Sequence, residues 1–262
     1  IVGGETLPLL RLRSLSKTFP GTRALVDVDF DVLPGEVHAL VGQNGSGKST
    51  LIKVLAGYHG ADPGSTGIVD GDVIDLTEVT SKRHAGLRFV HQDLGLILQL
   101  SAMDNMALRG GFALKSGRID WAAQERTSRE LLARFDANLD VRAPLEQATP
   151  IQRTIVAITL ALAGWGGGRG LLVLDEPTAV LPHTEVSRLL EIVREVKASG
   201  TSVLYVSHRL EEVFEISDRV TVLRDGRRIA TQPSSTLNTQ SLAELMVGAN
   251  VDAHVRATYP ST

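Results

Sequence analysis

Apolar and polar positions alternate from the start of the chain. L-L-R-L-R-S-L runs from Leu9, and A-L-V-D-V-D-F-D-V-L runs from Ala24. This period of two marks strands with one buried face. Pro34-Gly35 turns the chain into a buried run, Val37 to Val41, and a helix is expected from Lys48 to about Ala56. Asp70-Gly71 and Asp225-Gly226 each sit between short apolar runs and read as two-residue hairpin turns. From about Ser101 to Ala163 the period becomes helical, with Asp120 a cap for a helix over 121–135. Continuous runs return at Leu171–Leu174 and Ser202–Val206, each followed by a helical stretch, 183–198 and 208–216. Continuous strands alternating with helices predict an α/β fold with a mainly parallel sheet covered on both faces. The helical middle interrupts the alternation and reads as an inserted subdomain.

Composition narrows the class. With 262 residues, 43% of them hydrophobic and 22% charged, the chain can bury a core. Its formal net charge of -3 supplies no field for holding nucleic acid or anionic lipid broadly. The absence of cysteine removes disulfide scaffolds, Cys-ligated metals and thiol catalysis. At 4% aromatic residues, a base-stacking surface is disfavoured. The most apolar stretch, Ile155 to Trp165, is far short of the roughly 20 residues that cross a bilayer. Glycines cluster at 42–47, at 60–71 and at 164–170; the last cluster reads as a flexible connection. No secretory signal is visible, and because the first residue is Ile, the ends are treated as possible boundaries of a longer protein.

The sharpest chemical signal is G-Q-N-G-S-G-K-S-T, comprising Gly42, Gln43, Asn44, Gly45, Ser46, Gly47, Lys48, Ser49 and Thr50. It satisfies G-x-x-x-x-G-K-[ST] between a buried strand and a helix, the context in which backbone N–H groups and a helix N-terminus enclose phosphate. Lys48 is then expected on the β- and γ-phosphates of a nucleotide and the Ser49 hydroxyl on Mg²⁺. A chance glycine-rich turn is the plain alternative, and the flanking strand and helix weigh against it. The second signal is L-L-V-L-D-E, which places Asp175 at the carboxyl end of a central strand, where open α/β sheets bind ligands. Asp175 is expected to support Mg²⁺, and Glu176 to polarise an attacking water. A strand ending in two solvated acids is common; the phosphate loop is what gives this one meaning.

From about Leu9 to Val247 the chain resembles the nucleotide-binding domain of an ATP-binding cassette (ABC) transporter. The resemblance implies a P-loop NTPase core with an antiparallel β-subdomain near the N-terminus. It also implies an inserted helical subdomain. Phe19, in S-K-T-F-P-G, falls where the family stacks an aromatic ring on adenine. Gln92, in F-V-H-Q-D-L, falls at the loop that touches Mg²⁺ and the membrane partner. His208, in Y-V-S-H-R-L, falls at the histidine that contacts γ-phosphate. Taken singly, a Phe is usually core and a Gln or His at a strand end usually surface; their order reverses that reading. The expected boundaries are 1–92 with 166–231 for the core, 93–165 for the helical insert, and 232–262 for a C-terminal helix and linker.

Two motifs depart from the family. The L-S-G-G-Q signature corresponds here to Ala148, Thr149, Pro150, Ile151 and Gln152. Pro150 removes a backbone donor, and T-x-x-Q reads as an ordinary capping box with Pro at the first helical position. The D-loop, Ala179, Val180, Leu181 and Pro182, ends in proline where many relatives have aspartate. Because the family sandwiches ATP between one cassette's phosphate loop and the other's signature, the altered signature weakens the partner's site. The site containing Lys48, Glu176 and His208 is untouched.

Phrases such as L-I-K-V-L-A-G-Y-H and D-E-P-T-A-V-L look like sugar-importer ATPases in which two cassettes are fused. E-L-M-V-G followed by Tyr259-Pro260 looks like that group's passage into a second cassette. The implied partners are that second cassette, membrane permease subunits and, indirectly, an extracytoplasmic solute-binding protein. The implied location is cytoplasmic, on the inner face of the cell membrane. The stretch from Gln92 to Ser101, with the helical insert, is expected to dock the permease, although a buried turn explains its apolarity equally well. A regulatory cassette that binds ATP with little hydrolysis remains the alternative. A nucleic-acid-directed cassette is disfavoured, since only about 107 residues separate Gly42 from Thr149 and leave no room for a long coiled coil. A small-molecule kinase lacks any visible acceptor pocket.

Overall fold

The computed structural model describes residues 7–79, 86–165 and 170–248. Two main sheets, one two-stranded hairpin and the helices packed on them build it. The first sheet is antiparallel, in the order β2-β1-β4-β5, from β1 (Leu10–Phe19), β2 (Thr22–Val32), β4 (Thr66–Val69) and β5 (Asp72–Ile74). The second has β3 (Val37–Val41), β6 (Leu87–Val90), β9 (Leu171–Asp175), β10 (Ser202–Val206), β11 (Arg219–Arg224) and β12 (Arg227–Pro233). Its order is β12-β11-β3-β10-β9-β6, and every pairing in it is parallel except that of edge strand β12 with β11.

The central strands β3, β9 and β10 are mostly apolar because both of their faces are covered. In β9, Leu172 and Leu174 join the core shared with the helices of residues 102–162 and 183–198, while Leu171 and Val173 join the core under the antiparallel sheet. In β10 the same alternation sends Val203 and Tyr205 one way and Leu204 and Val206 the other. Helix α1 (Lys48–Leu55) leaves the carboxyl end of β3 and buries Leu51 and Ile52 in the second of these cores. Helices α5 (His183–Ala198) and α6 (Leu210–Ile216) follow β9 and β10, and α7 (Thr239–Val247) buries Leu242 and Met246 against β11.

Both expected hairpins form. Asp70-Gly71 joins Val69 to Asp72 and Asp225-Gly226 joins Arg224 to Arg227, with positive φ at both residues of each turn, as a type I′ turn requires. The middle of the chain differs from the helical reading. Helix α2 (Ala102–Gly110) ends at Gly110-Gly111, and a miniature hairpin, β7 (Leu114–Lys115) and β8 (Arg118–Ile119), precedes α3 (Trp121–Ala133) and α4 (Pro150–Leu162). Ser116 and Gly117, at φ 51° and 75°, make its turn, and the buried Gln124 side chain accepts the Ala113 N–H at 2.9 Å. Strands of two exposed residues leave no period to read. Helix α6 also starts later than the pattern suggests, leaving His208 in a loop. The glycine-rich connection at 166–169 and the Tyr259-Pro260 segment lie outside the described residues.

Candidate functional site

Strand β3 delivers the chain into the loop from Gly42 to Gly47, and α1 begins at Lys48. Gly47 caps that helix at φ 104°; a Cβ there would stand 2.7 Å from the Ala24 carbonyl oxygen, so only glycine fits. At Gly42 a Cβ would lie 2.3 Å from the Leu223 carbonyl oxygen. The loop is thus wedged against β2 and the end of β11. No side chain caps α1, so its first amides are available to an anion. The buried Ser46 Oγ has no hydrogen-bond partner, as expected of a donor waiting for an acceptor. The Lys48 amine donates to the carbonyls of Gly42 at 2.8 Å and Gln43 at 3.2 Å, and so lies along the loop. Burial lowers its pKa, against the opposing pull of Glu176 and Asp175.

The two acids sit where β9 ends. Burial, then the neighbouring Glu176, push the Asp175 carboxyl above its ordinary range, and Lys48 works in the other direction. Glu176 has φ 50°, a left-handed backbone costing roughly 1–2 kcal/mol, held by its N–H bond to the Val206 carbonyl at 3.0 Å. That bond ties the acid loop to the end of β10. From the loop after β10, His208 brings Nδ1 within 3.4 Å of Glu176 Oε1.

Ser49, Gln92 and Asp175 line one cleft of about 700 Å³, together with Lys53, His59 and Arg109. A hydroxyl, an amide oxygen and a carboxylate form a hard-oxygen donor set suited to Mg²⁺. Among the described residues no group of three His, Cys, Asp or Glu could hold a metal unaided. The donor set therefore fits an ion that also takes phosphate oxygens. Phe19 does not line this cleft; its ring meets His59, which does, edge-on at 5.2 Å, and the Lys17 amine lies 5.1 Å from the Phe19 centroid.

Residues 148–152 stand apart from this cleft, at the start of α4. Thr149 caps the helix: its hydroxyl accepts the Gln152 N–H at 3.4 Å, and Gln152 Oε1 accepts the Thr149 N–H at 2.9 Å. Pro150 has no N–H. The Ile151 N–H donates to Glu185 Oε2 at 3.0 Å. No amide of the first turn is left for a phosphate, because Glu185 already fills the place of the anion. Ala148 and Ile151 pack against the core, as do Leu94, Leu96 and Leu98 of the expected docking stretch, where Ile97 is exposed. In the D-loop, Ala179 donates to the Glu176 carbonyl and Leu181 to that of Thr178, Leu181 is buried, Val180 is exposed and Pro182 precedes α5.

Sequence reasoning missed three side chains here: Glu185; Asn105, whose buried amide brackets Ile97 with bonds of 2.9 and 3.0 Å; and Glu212. Asn105 has no motif to announce it. Glu185 is visible only as an acid in the first turn of a helix.

Residues 25–179 match the family model described as ABC transporter, and the chain belongs to that family. It is 42% identical over 247 residues to the ribose import ATP-binding protein RbsA 2 of Rubrobacter xylanophilus, covering 94% of this chain and 47% of that protein. It is 37% identical over 261 residues to a putative ribose/galactose/methyl galactoside import ATP-binding protein of Burkholderia cenocepacia, covering 98% and 49%. The chain therefore spans about half the length of the curated relatives it matches. Among solved structures, the fold superposes on the ADP conformation of the ATP-binding cassette MJ1267 with a TM-score of 0.75 at 23% identity, covering 95% of this chain and 98% of that one.

Proposed function

We propose that this chain is an ATP-hydrolysing cassette that powers import of a monosaccharide through a membrane-embedded permease, working against a second cassette of the same longer protein. One observation carries the reading: four separate segments converge, with Ser49, Gln92 and Asp175 lining one cleft, Lys48 within electrostatic reach of Asp175 and Glu176, and His208 against Glu176. The sugar comes from the relatives' names; the chemistry comes from the site.

In this reading the loop amides and Lys48 hold the β- and γ-phosphates of ATP. Ser49, Asp175 and Gln92 would hold Mg²⁺, which when bound neutralises phosphate charge. Glu176 orients and polarises the attacking water, whose oxygen bonds to the γ-phosphorus as the bond to ADP breaks. His208, held beside Glu176, reports the γ-phosphate. Phe19 supplies a ring face toward adenine. No helix among the described residues is long and apolar enough to cross a membrane, so the proposed place, peripheral on the inner face of the cell membrane, depends on the permease. An extracytoplasmic solute-binding protein would deliver the sugar, and no nucleic acid is involved.

The altered signature makes the pair of ATP sites unequal: this chain contributes a complete phosphate loop, while its own α4 offers no free amides to the other site. Phosphate release should therefore be slow from the purified chain alone, since two copies supply only capped signatures. It should be restored, with sugar uptake, when the longer protein is assembled with its permease in vesicles. Brisk, cooperative hydrolysis by the isolated chain would overturn the asymmetry, and an assembled transporter without sugar-stimulated hydrolysis would overturn the transport reading.

A further inference from the structure

A buried carboxylate behind the Glu176–His208 pair has no part in the scheme above. Glu212, in α6, is only 5% exposed. Its Oε2 accepts three hydroxyls, from Thr178 at 2.8 Å, Tyr205 at 2.9 Å and Ser207 at 3.3 Å, and its Oε1 lies 3.4 Å from the Arg209 guanidinium. Ser207 Oγ also accepts the Arg209 N–H at 3.0 Å, on the far side of His208. Thr178 belongs to the turn closed by the Ala179 N–H on the Glu176 carbonyl. One oxygen therefore ties the turn holding Glu176 to the loop holding His208. Burial, then the carboxylate beside it, push the Tyr205 hydroxyl well above its ordinary range, which keeps it a donor.

We infer that Glu212 is a positioning residue for ATP hydrolysis: it fixes the Glu176 turn and the His208 loop in register and touches neither nucleotide nor water. This deepens the function proposed above and rests on it. Two loops that approach each other at the ends of neighbouring strands have no other side chain shared in this way among the described residues. A misplacement of about 1 Å at a reacting group can cost on the order of 10²-fold in rate, so the tie is large enough to matter.

The test is steady-state hydrolysis by the longer protein assembled with its permease, well below its unfolding temperature. Glu212→Gln should lower kcat roughly 10-fold or more with KM for MgATP changed less than about 2-fold. In a His208→Ala background the same substitution should cost clearly less, because only the Glu176 turn is then left to position. Equal losses in the two backgrounds would make Glu212 merely structural and overturn the inference. If Glu212→Gln fails to fold, Thr178→Val and Tyr205→Phe decide. Each removes one hydroxyl from the same oxygen, but only Thr178 belongs to the catalytic turn. Loss of kcat with Thr178→Val alone supports positioning, and equal effects contradict it. A parent protein without hydrolysis would instead refute the proposed function.

Discussion

Glu176 Oε1 and His208 Nδ1 stand 3.4 Å apart at the ends of neighbouring parallel strands. Each is carried by a loop rather than by the strand itself, so the contact depends on how those loops are held. Parallel strands put their carboxyl ends, and hence their loops, on one edge, which is why residues far apart in sequence meet there.

Replacing Glu176 by Gln keeps shape and hydrogen-bonding capacity but removes the base. MgATP affinity should stay within about 2-fold while hydrolysis falls roughly 10²–10³-fold, by analogy with other preorganised groups. Equilibrium nucleotide binding and single-turnover phosphate release separate the two. Retained turnover with the amide would displace Glu176 from its role.

The Glu185 carboxylate against the Ile151 N–H should contribute to stability through a charged hydrogen bond at a helix N-terminus. Glu185→Ala should cost roughly 1–2 kcal/mol, seen as a midpoint lowered by about 2–8 °C in thermal unfolding. An unchanged midpoint would mean that water caps the helix equally well.

Gly47 should not tolerate a side chain. Gly47→Ala places a Cβ 2.7 Å from the Ala24 carbonyl oxygen at φ 104°, and should cost roughly 2–4 kcal/mol from backbone strain and overpacking. Gly64→Ala, with φ 93° but open space, isolates the strain alone and should cost about 1–2 kcal/mol. Denaturant titrations of both variants should show this order.

Asp175 has a folded pKa raised above its unfolded value, chiefly by burial. The folded state therefore binds the proton more tightly, and the contribution of this group to stability is fully present below the unfolded pKa. It is lost as pH rises through the folded value. Without nucleotide, Asp175→Asn should be more stable than the parent at neutral pH, with the difference shrinking in acid. Urea titrations across that range would show it, and a variant less stable at every pH would contradict it.

Much of this site was legible because its residues are contiguous. The phosphate loop announces itself between β3 and α1, and the acids follow an apolar run that only a central strand would carry. The Asp-Gly hairpins were legible because the turn itself dictates the residue types. What sequence could not show depends on partners remote along the chain: Glu185 on Ile151, Glu212 on Thr178, Asn105 around Ile97. Each is an ordinary polar residue on a helix until the fold supplies its neighbour. For Phe19 the motif order gives the place, and the fold adds its neighbours: His59, which lines the cleft, edge-on, and the Lys17 amine near its ring.

The most direct test of the account is equilibrium binding of MgATP to this chain and to Lys48→Ala. The parent should bind, and removal of the amine should weaken binding by at least about 10-fold, the loss of one charged hydrogen-bond donor to phosphate. Equal affinity in the two proteins would mean that the loop from Gly42 to Thr50 does not hold the nucleotide.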